Sequence, residues 1–280
     1  MNKIRVIPRL DIKSSNIIKG IHLEGLRIIG NPQEYATQYF LDGADEILYV
    51  DTVASLYGRN NLFDIVEEAS KNLSIPLCVA GGIRSIEDIK KLLHAGADKV
   101  SINTAAVQNP ALIKQASEYF GSQCIVVAID YKNWPDDRFR SSVNKTVSMG
   151  KEQIKSSNKK HYQVYTDNGR QQTGREAFDW ALEAVNLGAG EILLTSIDRE
   201  GIKKGFEIEF TKKVSEAVSV PVIVGGGAGS AQDVVDVVLD GKADAVSIAS
   251  ILHYKDISIN ELKEFMSQKG IFTANHRGDS

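Results

Sequence analysis

Residues 97–105 read ADKVSINTA and residues 243–251 read ADAVSIASI, so nearly the same segment occurs twice in one chain. A second segment recurs in the same way, because EILYVD at 46–51 corresponds to EILLTSID at 191–198. The two recurrences lie 146 and 145 residues apart, which indicates that one half of the chain is a copy of the other.

Short runs rich in β-branched residues alternate with helical stretches along the whole chain. Eight such runs are present: IRVIPRL (4–10), DEILYVD (45–51), PLCVAG (76–81), DKVSIN (98–103), CIVVAID (124–130), GEILLTS (190–196), PVIVGG (221–226) and DAVSIAS (244–250). Apolar runs between helices are typical of parallel strands covered by helices. Eight such units in 280 residues predict an α/β protein, a single (β/α)8 TIM barrel over 1–280 built from two similar half-barrels.

Glycines mark the ends of the predicted helices. A left-handed residue is needed there to turn the chain, and four glycines stand in such places: Gly43, Gly96, Gly188 and Gly241. Three of these turns continue with Ala-Asp, and Lys242 is inserted in the last. At the other helix end, Asn31-Pro32 predicts a helix start with proline in the first helical position.

The two copies differ mainly by a polar, lysine-rich insertion. The spacing is 119 residues between Asp11 and Asp130 but 145 between Glu46 and Glu191, so about 26 extra residues follow the fifth strand. They fall within 133–172, with HYQVYT as a candidate hairpin strand. Because this stretch follows a strand, we expect it on the catalytic face, either as a lid or as a solvated loop.

Composition excludes several classes of protein. The net charge of −3 indicates no nucleic-acid partner, and no signal peptide or membrane span is present. The two cysteines, Cys78 and Cys124, lie in apolar runs and fit a reducing cytoplasm. No histidine has metal-ligand spacing and no cofactor motif appears, so we expect neither a metal nor a cofactor.

Two aspartates stand at strand ends, where such barrels keep their reacting groups. Asp11 ends the first strand and Asp130 ends the fifth, at equivalent places in the two copies, so they should face each other across the mouth. Opposed carboxylates can divide acid and base work if their surroundings separate their pKa values. The alternative is that each caps a helix or pairs with a neighbouring lysine, Lys13 or Lys132.

Two glycine-rich turns predict anion sites at the same face. Residues 80–82 follow the third strand and 225–229 follow the seventh, and their backbone N–H groups can approach a phosphate. Asn103-Thr104 and Ala249-Ser250 follow the neighbouring strands. Two such turns on opposite sides predict a small-molecule substrate with a phosphate at each end; the alternative is tight turns without a ligand.

The opposite rim carries charges of alternating sign. They lie at or near the starts of the first, second, fourth and sixth strands: Arg5, Glu46, Lys99 and Glu191. Such charges usually serve stability or solubility, and a ring of opposite charges could also plug the axial opening.

These features resemble the cyclase subunit of imidazole glycerol phosphate synthase, a histidine-pathway enzyme. The matching stretches are DIK (11–13), Lys19-Gly20, GADE (43–46), GGI (81–83), ADKVSINTAAVQNP (97–110), FGSQ (120–123), VVAID (126–130), GAGEILLTSIDREG (188–201) and GGAG (226–229). They span nearly all the chain except 133–172, and their order and spacing are specific.

The resemblance implies a role for each candidate residue. It makes Asp11 and Asp130 the acid–base pair and puts Lys19 on a loop that closes over substrate. It assigns one phosphate to Gly82, Asn103 and Thr104. It assigns the other to Gly201, Gly226, Gly227 and Ser250. It makes the rim charges an ammonia gate formed by Arg5, Glu46, Lys99 and Glu191.

The resemblance also implies an ammonia-dependent lyase. A separate glutaminase subunit would dock at the strand N-terminal face and supply ammonia through the barrel. The substrate would be a bis-phosphorylated ribulosyl-formimino aminoimidazole carboxamide ribonucleotide. The products would be imidazole glycerol phosphate and aminoimidazole carboxamide ribotide.

Four departures from the family pattern cluster on the substrate face. Arg9 replaces the usual Cys, Ser14-Ser15 the usual Asp-Gly, Glu200 the usual Asp, and Gly225 the usual Ser. A guanidinium at position 9 would favour ionised Asp11. Two alternatives therefore stay open: a paralogue that channels glutaminase-derived ammonia for amidination of a surface-polysaccharide sugar, and a non-catalytic barrel that serves only as a scaffold or activator.

Overall fold

A computed structural model describes residues 3–52, 62–134 and 160–274. Eight parallel strands form a closed barrel, and each predicted run contributes one of them, which confirms the predicted fold. In ring order they are β1 (Arg5–Lys13), β4 (Ile47–Asp51), β5 (Leu77–Ala80), β6 (Lys99–Ile102), β7 (Ile125–Trp134), β10 (Glu191–Ser196), β11 (Val222–Gly225) and β12 (Ala245–Ile248). Parallel pairing of β12 with β1 and of β7 with β10 closes the ring.

Two antiparallel hairpins extend the barrel strands beyond the mouth. They consist of β2 (Asn16–Ile21) with β3 (Glu24–Gly30), and of β8 (His161–Thr166) with β9 (Gln171–Glu176). β2 pairs with the end of β1, and β8 pairs with the end of β7, so the hairpins occupy equivalent places in the two halves. Of the lysine-rich stretch 133–172, residues 135–159 lie outside the described residues.

Helices surround the barrel. Those in the described residues are α1 (Pro32–Leu41), α2 (Leu62–Asn72), α3 (Ile86–His94), α4 (Thr104–Gln108), α5 (Ala111–Phe120), α6 (Ala177–Asn186), α7 (Ile208–Ser215), α8 (Ala231–Leu239), α9 (Ser250–His253) and α10 (Ile259–Gln268). A short 3-10 helix spans Ser122–Cys124. Among these residues, none of the helices combines the length and apolar character needed to cross a bilayer.

Side chains capable of capping begin several helices. Asn31 caps α1 through bonds from Gln33 N and Glu34 N, with Pro32 in the first position, as predicted. Ser230 begins α8 with a capping box, in which its side chain and that of Asp233 each accept a bond from the other's backbone. Local sequence therefore fixes where these helices start.

The aspartates of the Gly-Ala-Asp turns bind the preceding barrel strand. Asp98 Oδ2 accepts a hydrogen bond from Leu77 N at 2.8 Å, and Asp244 Oδ2 accepts one from Val222 N at 2.9 Å. Asp45 holds β1 in the same way. The recurrence in the sequence thus reflects a side chain that ties the start of each strand to the start of its neighbour.

The turn before β12 differs from the prediction in one residue. Gly43, Gly96 and Gly188 have positive φ angles, but the left-handed residue in the fourth turn is Lys242, at φ +59°, so the prediction for Gly241 is wrong. The inserted Lys242 adopts the left-handed conformation that the turn requires. Gly241 is instead needed for close approach, because a Cβ there would lie 2.5 Å from Val237 O.

Strand alternation divides the core into two parts. Even-numbered residues of β1, such as Val6 and Leu10, pack against the helices, whereas Ile7 belongs to a separate cluster inside the barrel. That inner cluster consists of Ile7, Leu48, Cys78, Ala80, Val126, Ala128, Leu193, Ile223 and Ala245. The axis is therefore apolar in its middle, with polar side chains on the same strand faces above and below it.

Replacing Ser230 with alanine should lower the free energy of unfolding by about 1 kcal/mol, because α8 loses its capping side chain. The corresponding fall in melting temperature is about 2 °C for a chain of this size, which differential scanning calorimetry can measure. Ser267→Ala, at an exposed helical serine, is the matched control and should leave the melting temperature unchanged. Equal effects of the two substitutions would contradict the capping role.

Candidate active site

The mouth of the barrel holds both candidate aspartates, but in unlike positions. Asp11 is only 5% exposed, and its Oδ1 accepts a hydrogen bond from Arg9 Nε at 2.7 Å. Asp130 instead lines a cavity of about 330 Å³ at the carboxyl ends of the strands. Arg9, which is 6% exposed, lines that cavity as well. Arg9 is thus hydrogen-bonded to one of the two carboxyl groups and shares a cavity with the other.

Neighbouring charges keep Asp11 ionised. Burial alone would raise its pKa, but the positive charges of Arg9 and Lys19 and the hydrogen bond from Arg9 outweigh burial and lower the pKa below that of an ordinary carboxyl group. Lys19 Nζ lies 4.0 Å from Asp11 Oδ2. Asp11 is therefore a hydrogen-bond acceptor over the whole neutral range.

Asp130 has the opposite electrostatics. Burial raises its pKa above the usual range, and the charge of Arg9 and a 2.9 Å hydrogen bond from Asn103 Nδ2 offset only part of the rise. Two carboxyl groups at equivalent strand ends therefore differ in their readiness to hold a proton. This difference is the arrangement that acid–base chemistry requires.

The residues predicted to bind the first phosphate lie beside Asp130. Gly82, Asn103 and Thr104 all line the same cavity, and Thr104 begins the short helix α4. The turn between β8 and β9 closes this side, since Asp167 and Asn168 also line the cavity and Asp167 N donates to Thr104 Oγ1 at 3.1 Å. Sequence analysis did not assign these two residues to the site, because a turn sequence does not show where its hairpin folds back.

The residues predicted to bind the second phosphate lie across the mouth, under the hairpin of β2 and β3. Its members are Gly201, Gly226, Gly227 and the buried Ser250 at the start of α9. A Cβ on Gly201 would approach Gly20 O at 2.7 Å, so only glycine permits this contact with the hairpin. His22 N also donates to Glu200 O at 3.0 Å. The hairpin therefore lies directly against this turn.

Lys19 occupies a strand rather than the predicted loop, because residues 16–30 form a hairpin. It is 3% exposed, and its Nζ donates to the buried carboxylate of Glu200. Glu200 Oε2 lies 3.4 Å from the position that a Cβ on Gly226 would take. The predicted site thus includes a buried Lys19–Glu200 ion pair whose members are distant in sequence. In the sequence, Glu200 was identified only as a departure from the family pattern, and its pairing with Lys19 was not predicted.

The four rim charges form a closed ring of ion pairs at the opposite end of the barrel. Arg5 contacts Glu46 at 2.8 Å and Glu191 at 3.1 Å, and Lys99 contacts the same carboxylates at 2.8 and 3.0 Å. Each cation bridges both anions, so the ring spans the axial opening. Burial raises the pKa of Glu46 even though Lys99 and Arg5 lower it.

Within the described residues, no three histidine, cysteine or acidic side chains are grouped as metal ligands would be. Cys78 lies inside the barrel and burial raises the pKa of its thiol well above the usual value. Among the described residues, the groups available for chemistry at the mouth are Asp130, Arg9 and the polar residues that line the cavity, together with the buried Asp11 beside it.

Comparison with known proteins identifies close relatives. The profile of the family described as "Histidine biosynthesis protein" matches residues 5–258. The imidazole glycerol phosphate synthase subunit HisF of Legionella pneumophila is 51% identical over 233 residues, which cover 83% of this chain and 99% of that protein. The HisF subunits of Geobacillus thermodenitrificans and Methanocaldococcus jannaschii are 48% and 46% identical, each over 95% of this chain and 97% of their own length.

Replacing Lys99 with methionine should destabilise the fold by about 3 kcal/mol, because Glu46 and Glu191 would then share a single cation. Burial already raises the pKa of Glu46, so the folded state favours its protonated form. The uncompensated charge appears as the pH rises through that pKa, so the loss of stability should be larger near pH 8 than near pH 5. Urea unfolding at the two pH values measures the difference.

The control is Lys71→Met, which removes an exposed pair with Glu67. It should change the free energy of unfolding by no more than about 0.5 kcal/mol at either pH. A Lys99→Met protein as stable as this control would show that the ring contributes nothing to the fold.

Proposed function

Since the chain belongs to the family of imidazole glycerol phosphate synthase HisF subunits, we propose that it is an ammonia-dependent lyase. Its substrate would be the bis-phosphorylated ribulosyl-formimino aminoimidazole carboxamide ribonucleotide. Its products would be imidazole glycerol phosphate and aminoimidazole carboxamide ribotide. The single observation that carries this proposal is the pair of strand-end carboxyl groups, Asp11 and Asp130, whose pKa values are shifted in opposite directions.

The two carboxyl groups would divide the proton transfers. Asp130, whose pKa is raised by burial, would donate a proton to substrate and recover one from it. Asp11, which stays ionised beside Arg9, would accept a hydrogen bond from the attacking nitrogen and stabilise the positive charge that develops there. Ring closure and elimination both need a proton moved between nitrogen and oxygen, and this pair can move it.

The glycine turns would hold the two phosphates. Gly82, Asn103 and Thr104 offer one cradle in the cavity beside Asp130. Gly201, Gly226, Gly227 and Ser250 offer the other beneath the hairpin that carries Lys19. Anchoring at both ends would fix the central bond of the substrate between the carboxyl groups, which reduces the entropy lost on reaching the transition state.

Ammonia would travel along the barrel axis. The middle of the axis is apolar, and Ser101 and Ser247 add inward-facing hydroxyl groups that have no hydrogen-bond partner within the described residues. A glutaminase subunit docked at the strand N-terminal face would deliver ammonia to the ring of Arg5, Glu46, Lys99 and Glu191, which would act as a gate. The apolar stretch favours neutral ammonia over ammonium, since burying a charge there is costly.

The relatives do not favour the alternative of a barrel that amidinates a surface-polysaccharide sugar. The proteins that match most of this chain are named as subunits of imidazole glycerol phosphate synthase. The proposed reaction needs no metal or cofactor. Cys78 and Cys124, which form no disulfide, fit a cytoplasmic enzyme.

Asp130→Asn should lower kcat with ammonium salts by a factor of about 100 to 1,000, because it removes the group that carries the proton. KM for the bis-phosphorylated substrate should change little, since both phosphate cradles are intact. Steady-state kinetics with purified protein measures both constants. Asp64→Asn, at an exposed helical aspartate, is the control and should behave as the wild type. Normal turnover by Asp130→Asn would overturn the proposed acid–base role.

A further inference from the structure

Arg9 has hydrogen-bonding capacity that the protein itself does not use. Its Nε donates to Asp11 at 2.7 Å, and among the described residues this is the one hydrogen bond that the Arg9 side chain makes. The side chain is 94% buried, yet it lines the cavity that contains Asp130 and Asn103. A guanidinium has five N–H donors, so at a cavity wall it can donate to a ligand oxygen while its Nε stays bonded to Asp11.

The surroundings of Arg9 leave room for such a ligand. Ala80, Ala128 and Ser101 line the same cavity as Arg9, and their short side chains occupy little of its volume. The guanidinium of Arg9 and the carboxyl group of Asp130 therefore border one common cavity. A group attached to the middle of a substrate bound in this cavity can therefore approach the guanidinium.

The local charge balance limits what the ligand can be. Arg9 and Lys19 are offset by Asp11 and Glu200, all of which are buried. The cluster is then neutral when Asp130 is protonated, so the guanidinium adds no surplus positive charge. A neutral or singly charged acceptor suits this balance better than a phosphate dianion, which the glycine turns are placed to hold.

We propose that Arg9 is a specificity-determining residue that binds a planar carbonyl-type group, a carboxamide or carboxylate, in the middle of the substrate. The inference rests on the proposed function, in which the substrate and one product carry a carboxamide on the imidazole ring. The terminal nitrogens of a guanidinium match two coplanar oxygens and also donate to a single carbonyl oxygen. Cysteine, the usual family residue at this position, cannot make these contacts.

The test measures the binding of two ribotides that differ only in this group. Isothermal titration calorimetry would compare aminoimidazole carboxamide ribotide with its carboxylate analogue. The wild type should bind the carboxylate about tenfold more tightly, because a charge-assisted pair with arginine is stronger than a neutral hydrogen bond. In Arg9→Met this ratio should fall to about one. The ratio is informative because a general disturbance of the site weakens both ligands alike.

Two further variants separate recognition from structure. Arg9→Lys keeps the charge near Asp11 but loses the planar pair of donors, so it should fold normally and show a ratio between those of the wild type and Arg9→Met. Arg27→Met removes an exposed arginine from β3 and should keep the wild-type ratio. If Arg9→Met retains the tenfold preference, or if the wild type has none, the role of Arg9 is overturned.

The pH dependence of turnover gives an independent readout of the contact with Asp11. Arg9 lowers the pKa of Asp11, so its removal should raise that pKa, and turnover should fail at a higher pH on the acid side of the profile. An unchanged acid limb in Arg9→Met would count against the pairing. Failure of the wild type to bind either ribotide would instead overturn the proposed function, whereas binding with an unchanged ratio would overturn only the inference on Arg9.

Discussion

The alternation of side chains along the barrel strands is the constraint from which the rest of the molecule follows. In β1 every second residue faces the axis, so Arg5, Ile7, Arg9 and Asp11 form one inward column that runs from one rim to the other. The other strands add matching columns, and the axis becomes charged at one end, apolar in the middle and polar at the other. A slip of one residue in any strand would turn its whole column toward the helices.

Charge compensation then determines what the polar end can do. Each buried cation has a carboxylate partner, as Arg9 has Asp11 and Lys19 has Glu200. Within the parts of the chain that the structure describes, Asp130 forms no salt bridge, and its hydrogen bond from the neutral Asn103 does not prevent its pKa from rising. The duplicated halves therefore supply two equivalent positions, and the cations nearest Asp11, Arg9 and Lys19, make them chemically unequal.

Much of this arrangement could be predicted from sequence because it depends on local repeats. The eight strands, the rim charges and the inward aspartates all follow from runs whose period and turn residues are visible in the chain. The pair of Lys19 and Glu200 could not be predicted, since it joins residues 181 apart and depends on how the hairpin of β2 and β3 folds over the mouth. The error at Gly241 has a similar origin, because one inserted residue moves the left-handed conformation to its neighbour.

The hairpin of β2 and β3 also bears on how molecules enter and leave. It contacts Gly201, and the buried ion pair of Lys19 and Glu200 links it to the neighbouring turn. The cavity beside Asp130 lies outside these contacts. The two glycine turns therefore differ in access, because one borders the cavity and the other lies against the hairpin.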